Sequence, residues 1–170
     1  MKKLHTEYRK DWRNDEEYAK DIADGHKAEK VIIEAYAEHL RKRYGIEVIV
    51  EDNGVDNSGK VIDNSLVNSD ADYILNGKLI EVKFINNMAS EFRIKKDQLH
   101  SYVRQDAVVL FVNGYNTDTP KFTLIKPDRL VELSKTRRAK PFRPWGNKMC
   151  YFLNTNIFNW FDLAIDKSKK

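Results

Sequence analysis

Residues 69–84 read SDADYILNGKLIEVKF. Asn76-Gly77 between two β-prone runs is the strongest short-range hairpin signal, and it favours a two-residue type I′ turn. With those two residues as the loop, the register is fixed. Leu75 opposes Lys78, Ile74 opposes Leu79, Tyr73 opposes Ile80, Asp72 opposes Glu81 and Asp70 opposes Lys83. Side chains alternate faces along a strand. Ala71, Tyr73, Leu75, Ile80, Val82 and Phe84 therefore form a core face, while Asp70, Asp72, Ile74, Leu79, Glu81 and Lys83 share the other.

Counted from the turn, Asp72 and Glu81 meet at a non-hydrogen-bonded position, where the Cβ atoms of a pair lie roughly 4.5–5.5 Å apart. Like charges placed directly opposite are destabilising. Two such carboxylates either raise one pKa strongly or bind a cation. Mg²⁺ takes a few carboxylates and completes its shell with water and phosphate oxygens. A divalent ion bridging Asp72 and Glu81, with Lys83 one step along the same face, accounts for the charges. The alternative is a wet strand surface on which Asp70 and Lys83 pair loosely. Ile74 and Leu79 share that face, which weighs against a purely solvated surface.

Upstream, residues 26–44 have strong helical periodicity, with Asp24-Gly25 as the expected start, Asp24 as N-cap and Gly45 as the stop. Ile32, Ile33, Tyr36 and Leu40 fall on one side, and Glu29 falls in the same sector. Glu34, Glu38, Lys27, Lys30 and Arg41 take the opposite, solvated side. A carboxylate within an apolar stripe is costly unless something pairs with it. Glu29 is either a third acid of the hairpin site or an acid near a helix N-terminus, where the dipole favours it.

Further out, residues 5–22 read as a charged helix carrying Tyr8, Trp12, Tyr18 and Ile22, and 46–50 (IEVIV) as a strand. Residues 52–68 read as a long polar loop, and 92–104 (FRIKKDQLHSYVR) as a helix with Leu99, Tyr102 and Val103 inward. The run AVVLFV at 107–112 has the character of a strand buried on both faces. A strand at 121–125, a short helix at 127–133, an edge strand at 150–153 and an amphipathic helical tail at 157–165 complete the chain. The expectation is one α/β domain over residues 1–170, with a mixed sheet flanked by helices. Its motif-bearing core covers about 25–133, followed by a basic loop at 134–148.

The chain has 170 residues, 33% of them charged and 41% hydrophobic, which is ordinary for a single globular domain able to bury a core. No apolar run reaches the length of a membrane span, and the N-terminus lacks a secretory apolar region, so the chain reads as cytoplasmic. The lone Cys150 has no disulfide partner. His5, His26, His39 and His100 have no ligand spacing, and no phosphate-binding glycine loop is present. The net charge is only +4, but residues 134–148 hold Lys135, Arg137, Arg138, Lys140, Arg143 and Lys148 with no acid. Arg93, Lys95 and Lys96 form a smaller cluster. A basic segment with Phe142 and Trp145 interleaved suits a phosphate backbone and an exposed base. It equally suits a solvated loop.

Asp72, then Glu81-Val82-Lys83, with Glu29 on a preceding helix, resembles the active site of the PD-(D/E)XK nuclease superfamily. The order of elements is closest to the archaeal Holliday-junction resolvases: Gly25 to Glu29 at a helix start, an aspartate-led strand, a Glu-x-Lys strand, a helix bearing Gln98 and an apolar strand. Ala71 stands where that family usually has proline. The resemblance spans about half of the chain, and it implies a restriction-endonuclease-like core. It also implies Mg²⁺-dependent hydrolysis of DNA, with Mn²⁺ able to substitute. On this resemblance Asp72, Glu81, the Val82 carbonyl and Glu29 hold the metal. Lys83 holds the attacking water, and Gln98 orients Lys83 or contacts the phosphate. Arg93, Lys95, Lys96, Arg137, Arg138, Lys140 and Arg143 are the expected DNA contacts. A resolvase needs two sites at a fixed distance, hence a homodimer. Phe158, Trp160, Phe161, Leu163 and Ile165 would either form that interface or cover the chain's own core. Restriction or repair nucleases, an exonuclease and a non-catalytic DNA-binding protein of the same fold are the competing readings.

Overall fold

The computed structural model describes residues 15–53 and 71–170. His5, Tyr8, Trp12, Asp70 with its expected pairing to Lys83, and most of the loop expected at 52–68 lie outside the described residues.

The hairpin forms in the register expected from Asn76-Gly77. Strands β2 (Tyr73–Leu75) and β3 (Lys78–Ile85) pair Tyr73 with Ile80, Ile74 with Leu79 and Leu75 with Lys78. Asn76 and Gly77 have φ of 47° and 80°, the left-handed conformation that a type I′ turn requires and that asparagine and glycine tolerate best. Strand β1 (Val50–Asp52) pairs antiparallel with β2. The strand expected at 46–50 is confined to its last residue, and Ile46 and Ile49 are exposed. The hairpin ends at Leu75, so the preceding residues meet the turn instead: Asn76 donates to the Glu47 carbonyl and accepts from Ile49 N–H.

Helix α1 (Asp15–Tyr44) is continuous through Gly25 and replaces the two helices expected on either side of Asp24. Asp24 is an exposed interior residue rather than an N-cap. An interior glycine costs about 1 kcal/mol of helix propensity. That is small beside the burial of Ala28, Ile32, Ile33, Tyr36 and Ala37 against the sheet.

Residues 92–104 divide into strand β4 (Glu91–Lys95) and helix α2 (Lys96–Arg104). Strict alternation decides β4: Phe92 and Ile94 are buried, whereas Glu91, Arg93 and Lys95 are not. Then come β5 (Val108–Asn113), buried along its whole length as expected, β6 (Lys121–Ile125) and α3 (Pro127–Thr136). Strands β7 (Lys140–Phe142) and β8 (Lys148–Asn154) form a hairpin in place of the expected basic loop, with a 3₁₀ turn at Arg143–Trp145 between them.

The main sheet has six strands in the order β1-β2-β3-β5-β6-β9, with β9 at Phe161–Asp162, and only the β3/β5 pair is parallel. A second sheet, absent from the one-sheet expectation, has the order β4-β8-β7. Cys150 therefore lies on a central strand rather than an edge. Helix α1 covers one face of the main sheet over Tyr73, Ile80, Val82, Leu110 and Val112. On the other face α2, α3 and the second sheet bury Val109, Phe111, Leu99, Tyr102 and Leu130. Ala71 belongs to this second core, not to the face expected for it, because the chain leaves the ladder at Asp72.

The tail is not a helix. It passes through a 3₁₀ turn (Thr155–Ile157) into β9, and Phe158, Trp160 and Leu163 pack on the chain's own cores, leaving Phe161 exposed. Of the two roles open to the tail, these residues take core cover. Among the described residues no helix is long and apolar enough to cross a membrane.

Candidate functional site

The β2/β3 ladder stops at Tyr73↔Ile80, while β3 runs on to Ile85. In a continued ladder the Val82 N–H would meet the Ala71 carbonyl. That carbonyl is instead taken by the Asn53 side-chain amide at 2.9 Å, and Ala71 N–H donates to Gln105 Oε1 at 2.8 Å. The Val82 N–H donates to Asp72 Oδ2 at 3.3 Å, so a side chain replaces the missing strand. A strand residue's N–H and C=O lie on the same edge. The Val82 carbonyl thus faces the opening where the two strands part.

Asp72 and Glu81 meet there as the register requires, with their carboxyl groups in hydrogen-bonding contact. Glu81 is 7% exposed. Its Oε1 accepts from the Tyr102 hydroxyl at 2.6 Å and lies 3.2 Å from Lys83 Nζ. The Lys83 ammonium also sits 5.5 Å from the centre of the Tyr102 ring. Glu29 approaches from α1 and joins the group electrostatically. Burial, followed by repulsion from Asp72 and Glu81, pushes its carboxyl up to about 9 against the pull of Lys83. Asp72 is pushed up to about 7, by burial first and Glu81 second, with the Val82 N–H and Lys83 pulling the other way. Burial and Glu81 also raise the Tyr102 phenol.

Fully ionised, these three acids would outnumber the one ammonium by two charges, a deficit that the raised Glu29 and Asp72 carboxyls meet by holding protons unless a cation takes their place. A hard dication fits that deficit, because Mg²⁺ needs only one or two carboxylates beside water and phosphate oxygens. Among the described residues no three His, Cys, Asp or Glu side chains are gathered into a ligand cage. The chemistry is that of a two-carboxylate site, Asp72 and Glu81, with the Val82 carbonyl on the same edge and Glu29 facing it.

A cavity of about 450 Å³ opens beside the group, lined by Glu29, Val82, Lys83, Arg93 and Trp145 among others. Asp72 and Glu81 are not in its lining; the Lys83 ammonium, which is, touches Glu81. Of the expected DNA contacts, Arg93 reaches this cavity, and Lys95 stands close enough to Lys83 and Lys148 to feel their charge. Lys96, Arg137, Arg138, Lys140 and Arg143 are exposed and outside it. Gln98 is half-buried on the first turn of α2, and its side chain makes no hydrogen bond to Lys83 or the carboxylates among the described residues.

The residue of α2 that does reach the acids is Tyr102. In the sequence it reads only as one of three inward apolar positions, and its hydroxyl was the one signal that could have found it. Trp145 was visible as an aromatic in a basic segment, but not as part of the cavity wall. No protein-family model, no curated protein and no solved structure matches the chain.

Proposed function

We propose that the protein is a divalent-metal-dependent DNA endonuclease built on a restriction-endonuclease-like core. The observation that carries the reading is the meeting of Asp72 and Glu81 where β2 and β3 part, with Lys83 on the same face and Glu29 opposite. The sheet order supports it: an acid-bearing antiparallel hairpin is joined through α2 to a parallel, fully buried β5. A binding protein has no use for a lysine set beside two mutually repelling acids.

Asp72, Glu81 and the Val82 carbonyl would hold Mg²⁺ (or Mn²⁺), with Glu29 contributing directly or through water. Such an ion would supply Lewis acidity toward the phosphate and lower the pKa of a bound water. Lys83 Nζ orients the attacking water and offsets charge that develops on the phosphate oxygens. Tyr102 fixes Glu81 by donating to Oε1. Arg93 and Lys95 hold the strand's backbone. Shape or structure selectivity suits a domain of this size better than base readout, since phosphate contacts position a protein without reading sequence.

The test is incubation of wild type, Asp72→Ala and Lys83→Ala with four-way junction, nicked, linear and single-stranded DNA in Mg²⁺. The expected result is cleavage by wild type alone, with 5′-phosphate ends. Equal cleavage by all three proteins would remove the site assignment. Paired symmetric nicks in the junction would select a resolvase.

A further inference from the structure

The cavity beside Lys83 has a second wall that the hydrolytic chemistry does not use. It is made by β4 and the turn between β7 and β8, and Trp145 lies at its rim, 41% exposed. The turn is well held: Gly146 N–H donates to the Arg143 carbonyl and Asn147 N–H to the Phe142 carbonyl, both at 3.0 Å. Phe142 stands edge-on to Trp145 with centroids 4.9 Å apart. The chain's other described tryptophan is packed quite differently. Trp160 donates from Nε1 to the Thr155 carbonyl at 2.7 Å and lies among Phe92, Phe111 and Phe158. An indole fixed on a short turn and left half in water adds little to the core.

Cations surround it. Lys95 Nζ is 5.3 Å from the Trp145 ring centre, and the Arg93 guanidinium lies over Phe142 at 4.3 Å and Phe152 at 5.1 Å. Arg143 and Lys148 flank the turn. Glu91 is paired with Arg93 at 3.1 Å, and Asp97 is the acid that acts on Lys95. Lys83 and Lys148 both act on Lys95, which stands against the Trp145 ring, an arrangement that a polyanion with flat bases complements.

We propose that this wall is a nucleotide pocket: Trp145 stacks an unpaired base while Arg93, Lys95 and Lys83 hold the adjoining phosphates, which makes DNA with unpaired nucleotides at the cleavage point the substrate class. This rests on the nuclease reading. The bases of a continuous duplex are stacked on one another and present no free face to an indole, whereas a gap or flap does. The cavity's volume of about 450 Å³ lies within the usual range for small ligand sites, about 300–1,000 Å³.

The test measures fluorescence anisotropy, without Mg²⁺, for a labelled blunt duplex and for the same duplex carrying a single-stranded gap. Wild type should bind the gapped DNA roughly tenfold to a hundredfold more tightly. Trp145→Ala should bring gapped DNA down to the level of the duplex, and Trp145→Phe should recover most of the preference. Equal binding of the two DNAs by wild type, or a preference that survives Trp145→Ala, overturns the pocket. A Trp145-dependent preference in a protein that cleaves neither DNA in Mg²⁺ or Mn²⁺ upholds the pocket and overturns the nuclease. Asp72-dependent cleavage with no preference does the reverse.

Discussion

Two hairpins border the same cavity and handle charge in opposite ways. The β2–β3 hairpin closes through a two-residue turn and carries its charges inward. Glu81 is buried, Asp72 touches it, and Glu29 adds a third acid from α1. The β7–β8 hairpin closes through a 3₁₀ turn and carries Lys140, Arg143 and Lys148 outward into water. An exposed lysine or arginine keeps its hydration and costs the fold little. A buried acid with acidic neighbours loses hydration and gains repulsion, so it must take up a proton or a counter-ion. On the proposed reading the first hairpin is therefore where chemistry is expected, and the second is where a polyanion would be held.

The largest effect expected from this contrast is on cleavage. Asp72→Asn and Lys83→Ala should each slow Mg²⁺-dependent hydrolysis by about a hundredfold to a thousandfold, the usual cost of removing one charge-stabilising group. Single-turnover rates on a gapped or branched DNA measure this. A loss of only a few-fold in both variants would break the contrast.

Stability should follow pH in the direction set by the buried acids. Glu29 and Asp72 hold their protons more tightly folded than unfolded, so unfolding releases protons and stability falls as pH rises. The fall begins near their ordinary values of 4.5 and 3.8 and continues to about 9 and about 7. In EDTA, Tm should fall from about pH 5 to about pH 8. Mg²⁺ should restore most of it at the higher pH and little at the lower. Thermal unfolding followed by circular dichroism checks the sign, and a Tm that climbs over this window would contradict it.

Tyr102→Phe sharpens the inner side of the comparison. It removes the 2.6 Å hydrogen bond to Glu81 but keeps the ring under Lys83. Metal affinity should fall roughly tenfold, as is typical when a ligand loses its orienting partner, with little change in Tm. Titration calorimetry with Mn²⁺ reads it. The smallest effect belongs to the outer cations. Arg137→Ala with Arg138→Ala should weaken DNA binding a few-fold, alike for all DNA structures, and lower the salt slope by about one for each phosphate no longer neutralised. Weakening confined to gapped DNA would show that these arginines belong with Trp145 instead.

The inner hairpin was legible in the sequence because its geometry is local. Asn76-Gly77 fixes a turn, the turn fixes a register, and period-two alternation places Asp72 against Glu81. The buried β5 was legible for a similar reason, a continuous apolar run. What was hidden depends on residues distant in sequence. Gly25 looked like a helix boundary, and only the packing of α1 on the sheet carries the helix through it. Residues 92–95 joined smoothly to a helical pattern, and it is pairing with β8, more than fifty residues later, that makes them a strand. The same pairing converts the basic loop into a hairpin and brings Trp145 to the cavity. Tyr102 was seen as apolar because nothing in its neighbourhood along the chain announces Glu81.

Manganese binding to the DNA-free protein tests the central claim most directly. Titration calorimetry near neutral pH should show saturable Mn²⁺ uptake by wild type, with proton release as the acids ionise. Asp72→Asn and Glu81→Gln should abolish that uptake, and Arg137→Ala should leave it intact. Uptake unchanged in both carboxylate variants, or none in folded wild type, would contradict the account.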